Sequence, residues 1–79
     1  MKSNMISVED IRNIGSGGTL KVQLPNYGAT VAARNQVSYV RRAYPRDDGM
    51  TYATSTDASK NIITIEVVTT EEYERRNNK

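Results

Sequence analysis

The residues that stand out for their chemistry are cationic. Between Ile11 and Arg46 the chain carries Arg12, Lys21, Arg34, Arg41, Arg42 and Arg46 and no Asp or Glu, although its net charge is only +2. Such a window makes a local positive field in a nearly neutral chain. The planar fork of arginine matches phosphate, and Tyr39 and Tyr44, interleaved with Arg41, Arg42 and Arg46, offer rings on which an unpaired base stacks. Lys21, Arg34, Arg41, Arg42 and Arg46 are therefore the candidate nucleic-acid-binding residues. A plainer reading stands beside this one. Cations at a helix C-terminus are favoured by the macrodipole alone, by roughly 0.3–1 kcal/mol each, and Asp47 and Asp48 are placed to pair with them. Tyr27 and Tyr44 would then be core or capping aromatics in a chain short of other large side chains.

Other chemistries find little support. The sequence contains no Cys and no His, which removes disulfides, thiolate nucleophiles, Cys-based zinc sites, the commonest metal ligand and the commonest general base. Asp47, Asp48 and Asp57 form a conceivable carboxylate set for a divalent cation. They lack the alternating spacing and distant Glu of a calcium loop, and a solvated turn is expected instead. The stretch Gly15-Ser16-Gly17-Gly18 has the glycines of a phosphate cradle but no following Lys-Ser/Thr pair and no following helix, so it reads as a turn. The many Ser and Thr hydroxyls have no evident partner base. A carboxylate pair working on sugars would need a deep cleft, which a domain this small rarely forms. No catalytic residue, metal, cofactor or small-molecule substrate is expected, and the chain is not read as an enzyme.

The elements that must position the cations follow from periodicity. Ser7 with Asp10 three residues later, flanked by Ile6 and Ile11, is the signature of a capped helix start, giving a short helix from about Val8 to Ile14 that ends in the glycines. From Thr19 to Leu24 apolar and polar residues alternate, so Leu20, Val22 and Leu24 face one side and Lys21 and Gln23 the other. Pro25 closes this strand and Asn26 caps the next element. From Tyr27 to Tyr44 the period lengthens: Ala29, Ala33, Val37, Val40 and Tyr44 line one face of a helix whose outer face carries Arg34, Ser38, Arg41 and Arg42. The competing arrangement is a hairpin through Pro25 to Gly28 with Ala29 to Ala33 as a second strand. Pro45 stops the helix, and Arg46 to Gly49 forms a polar turn. Met50 to Thr56 and Ile62 to Thr70 read as strands joined by a hairpin loop, with Ile63, Ile65 and Val67 toward the core. Glu71 to Lys79 is a solvated helix or a frayed tail, with i,i+4 pairs Glu71/Arg75 and Glu72/Arg76.

The resulting order is α-β-α-β-β: an α+β fold with a short N-terminal helix, then β-α-β-β, its three-stranded sheet covered on one face by the single long helix. The opposite face would present Lys21, Gln23, Thr51, Ala53, Ser55, Thr64 and Glu66 to water or to a partner. The 79 residues leave room for one core, so residues 1–79 form a single domain, with 1–5 and 71–79 flexible. A chain of this size buries only about 60–65% of its unfolded surface and nets a few kcal/mol, so dimerisation would be a useful supplement. Met1 and Met5 are equally plausible starts. No run approaches the roughly 18 apolar residues of a membrane span and the N-terminus lacks an apolar leader, so no membrane is involved and a cytoplasmic location is expected.

Two functional expectations result. The first is a small non-enzymatic nucleic-acid-binding or regulatory module, using either the basic helix end or the polar sheet face with Lys21, Gln23, Thr51 and Ser55. The alternative is a protein-interaction or homo-oligomeric adaptor module, in which Ile62 to Thr70 acts as an edge strand that accepts another strand.

Overall fold

The computed structural model describes residues 6–77; the stretch 1–5, expected to be flexible, and residues 78–79 lie outside it. The chain runs α1 (Val8–Arg12), β1 (Thr19–Gln23), α2 (Tyr27–Ala43), β2 (Met50–Asp57), β3 (Ile62–Thr69), α3 (Thr70–Asn77). The fold is α+β, with α2 packed against β2 and β3 of a three-stranded sheet.

Local sequence explains each boundary. The Ser7 hydroxyl accepts from the Asp10 N–H at 3.0 Å while the Asp10 carboxylate accepts from the Ser7 N–H at 3.3 Å, a reciprocal cap that ties down two free donors of α1. Gly17 supplies a left-handed φ of 75° in the turn before β1. The Asn26 carboxamide oxygen accepts from the Ala29 N–H at 2.8 Å and starts α2. Because Ala29 to Ala33 lies within α2, the competing hairpin does not form. In the loop after β2, the Asp57 carboxylate accepts from the N–H and hydroxyl of Ser59, and Asn61 adopts the left-handed φ of 55° that this residue type tolerates.

The sheet order is β1-β3-β2, antiparallel throughout. β1 and β2 therefore run parallel to each other with β3 inserted between them, and α2 crosses over a strand to connect them. This corrects the expectation that β3 forms an edge: it is the central strand. Its run of β-branched residues reflects burial, since Ile63, Ile65 and Val67 point into the core and are almost fully buried. They meet Ala33, Val37 and Val40 of α2, Tyr52 of β2, and Ile6, Ile11 and Ile14 from the region of α1. Thus α1 joins α2 in the core, and the Gln36 side chain donates to the Ile6 carbonyl at 3.4 Å.

The α2 face differs from the expected one at both ends. Thr30 is fully buried there, its hydroxyl donating to the Tyr27 carbonyl at 2.6 Å, so its polar atom enters the core satisfied. Tyr44 does not belong to that face. It is the C-cap, with φ −132° and ψ 63°, and remains 40% exposed. The following Pro45 disfavours helical geometry at Tyr44 and turns its ring out of register.

The second sheet face is not left to water. Helix α3 packs against β2 and β3, Ala53 is only 5% exposed, and Glu66 pairs with Arg76 at 2.8 Å. The expected open polar face is thereby reduced to its β1 side. Of the two i,i+4 pairs read from sequence, Glu72 with Arg76 forms at 2.9 Å, whereas Arg75 pairs with Glu72 at i,i+3 rather than with Glu71.

Candidate nucleic-acid interface

The five cations singled out by sequence are not brought together. Lys21 projects from β1 on the sheet face opposite α2, as its alternation with half-buried Leu20 and Val22 requires. Arg41 is half-buried: its Nε donates to the Tyr52 carbonyl at 3.1 Å, and its guanidinium lies 4.8 Å from the centre of the Tyr73 ring in α3. It braces helix against sheet.

Arg46 is also spent internally. One Nη donates to the Ile14 carbonyl at 2.7 Å and reaches the Tyr52 hydroxyl at 3.4 Å. The rest of the guanidinium grips Asp48, with the closest contact at 2.8 Å. Asp48 further accepts from the Ser16 hydroxyl at 2.6 Å and the Met50 N–H at 3.1 Å. The Arg46 guanidinium, first, and these other donors hold the Asp48 carboxyl far below the usual carboxylate range. Asp48 in turn raises the Arg46 pKa. This network joins the α1–β1 connection to the α2–β2 connection, and it fills the carboxylate that sequence offered to a cation. Asp57 is occupied in its own turn, where Ser59 lowers its pKa. Among the described residues no three His, Cys, Asp or Glu side chains stand close enough to hold a metal ion.

Arg34 and Arg42 are exposed on α2. At roughly 100° per residue, Arg42 shares the outward stripe of α2 with Asn35 and Tyr39, whereas Arg34 lies on the flank of Arg41. The stripe continues beyond the helix. Tyr39, 47% exposed, meets Tyr44 edge to face at 6.1 Å with an interplanar angle of 79°. The guanidinium of Arg12 from α1 lies 4.4 Å from the centre of the Tyr44 ring. Arg12, Tyr44, Tyr39 and Arg42 thus form a cation–aromatic surface at the end of α2. Beside it opens a cleft of about 300 Å³ walled by Arg12, Tyr44, Arg46, Asp47 and Tyr52. The cleft has mixed charge: Arg12 and Arg46 are matched in number by Asp47 and Asp48, so the positive charge beyond it is that of exposed Arg42 on α2.

Sequence identified Tyr39, Tyr44 and Arg42 as neighbours in this region. It placed Arg12 in the acid-free window without joining it to them, because α1 and α2 meet only in the tertiary structure. Tyr27, expected in the core or at a cap, is 53% exposed at the other end of α2; the core tyrosine is Tyr52, 2% exposed. No described helix is long and apolar enough to cross a membrane. No protein-family model, curated protein or solved structure matches this chain.

Proposed function

We propose that this protein is a small non-enzymatic module that binds nucleic acid through Arg12, Tyr44, Tyr39 and Arg42 at the end of α2. One observation carries the reading: two tyrosines stay substantially exposed in edge-to-face contact, with a guanidinium over one of them, inside a segment devoid of acids until Asp47. An isolated exposed tyrosine needs no explanation. A row of two rings flanked by Arg12 and Arg42 supplies both things a single strand requires, a π-face for a base and cations for its phosphates. Arg34 extends the positive surface along α2. Arg41 and Arg46 contribute by holding the platform rather than by touching phosphate, and Lys21 takes no part. A cytoplasmic site of action belongs to the same reading and is tested by imaging the tagged full chain.

The test is a titration of fluorescent single- and double-stranded DNA and RNA at two salt concentrations, with Tyr39→Ala and Arg42→Glu variants. With two to three phosphates neutralised, affinity for single strands should fall about tenfold between 50 and 200 mM salt. Loss of one stacking ring should weaken binding by about 1–3 kcal/mol. Affinity that is flat in salt, or unchanged in Tyr39→Ala, rejects the proposal.

A further inference from the structure

A different surface, the outer edge of β1, is left unpaired among the described residues. Along β1, Val67 N–H donates to the Gly18 carbonyl at 3.0 Å and Leu24 N–H to the Asn61 carbonyl at 2.8 Å. In an antiparallel ladder the residues facing the partner alternate, so Gly18, Leu20, Val22 and Leu24 bond to β3. The N–H and C=O groups of Thr19, Lys21 and Gln23 point the other way, to the outer edge. Within the described residues these backbone groups have no hydrogen-bond partner. On the core side Leu20 and Val22 remain only half-buried, so apolar surface is exposed along the same edge.

We infer that the β1 edge is a docking site for an extended segment of a partner protein, with an acidic residue between two apolar ones. The added strand would satisfy the outward groups of Thr19, Lys21 and Gln23, as in recognition by strand addition. Its apolar side chains would continue the face of Leu20 and Val22. Its acidic side chain would lie beside Lys21, the central cation of the edge. A second copy of this chain is the poorer occupant. The two-fold register that pairs all five β1 residues sets Lys21 against Lys21, and like charges directly opposite are destabilising. Lys21 thus repels its own kind and admits an acid, one side chain setting both attraction and exclusion.

The probe is a capped synthetic peptide, Thr-Val-Glu-Val-Thr, titrated into the 15N-labelled full chain, with Thr-Val-Lys-Val-Thr as control. The expected result is saturable shifts of the Thr19, Lys21 and Gln23 amide signals and a preference of roughly threefold to tenfold for the acidic peptide. That preference should reverse in Lys21→Glu, a fully surface substitution. Saturable shifts confined to α2, equal affinity for both peptides, or no saturable shift at millimolar peptide each overturns the proposal. Concentration-dependent dimerisation with the same three amides protected overturns it in favour of a second copy.

Discussion

Along the outer edge of β2 the Met50 N–H donates to Asp48 and the Tyr52 carbonyl accepts from Arg41, whereas among the described residues the outward groups of Thr19, Lys21 and Gln23 on β1, like those of Thr54 and Thr56 further along β2, have no such partner. Both strands are edges of the same sheet, and exposed edges invite pairing with other chains. The difference arises from what lies next to each. β2 is preceded by an acidic turn and faces the end of α2, and α3 packs over it; β1 follows a glycine turn and has only Lys21 as a guard. Two of the five cations that resemble phosphate ligands in sequence are therefore consumed near β2. The free positive charge moves to the Arg12 and Arg42 rim.

The largest effect that sharpens this contrast is in the strand between the edges. Ile65→Ala removes a fully buried side chain from β3 and is expected to cost about 2–5 kcal/mol. Leu20→Ala on half-buried β1 should cost roughly half as much, because less surface is lost. Equal costs in urea unfolding would mean that β1 is packed as tightly as the centre. Next comes Arg46→Ala, which leaves the Ile14 carbonyl without its charged donor and releases Asp48, at about 2 kcal/mol. Hydrogen exchange of the Met50 amide should then accelerate while that of Lys21, already open to water, stays the same.

Smaller effects come from the remaining guard and from acid. Arg41→Ala frees the Tyr52 carbonyl at about 1 kcal/mol, and light scattering should detect increased self-association as the first half of the β2 edge opens. Acid acts through Asp48. Its carboxyl titrates below its ordinary value of 3.8 in the folded chain, so the stability it adds is present above that value and is lost as pH falls through and below about 4. Asp57 and Glu72, also lowered, act in the same direction. Asp48→Asn should flatten the decline of Tm below pH 4; a decline as steep as in the parent chain would place the acid sensitivity elsewhere.

Much of the fold was legible in sequence because it depends on near neighbours. The Ser7/Asp10 cap, the Asn26 start of α2, the stop at Pro45 and the alternation Ile63, Ile65, Val67 all appear where spacing predicts. Tyr44 was misplaced because helical spacing extends smoothly to a residue that Pro45 has already forced out of the helix. The β3 strand was read as an edge because β-branched content signals a strand without telling whether one neighbour or two will flank it. The candidate site was legible in its residue types and in the proximity of Tyr39, Tyr44 and Arg42. It was not legible in which arginines are free, since Arg12 and Arg46 look alike until their contacts are known.

What the sequence determined by itself is thus the elements from α1 to β3, their caps, the buried side of each strand and a basic segment without His or Cys, whereas it left 71–79 as either a helix or a frayed tail. These depend on backbone preference and on side chains within about one helical turn of each other. Tertiary structure alone decided the order β1-β3-β2, the covering of the second sheet face by α3, and the division of the arginines between internal bracing and an exposed rim. Arg46 reaches Ile14 across 32 residues and Arg41 reaches Tyr52 across 11. At such separations the partner is chosen by how the elements pack, and no local spacing encodes it.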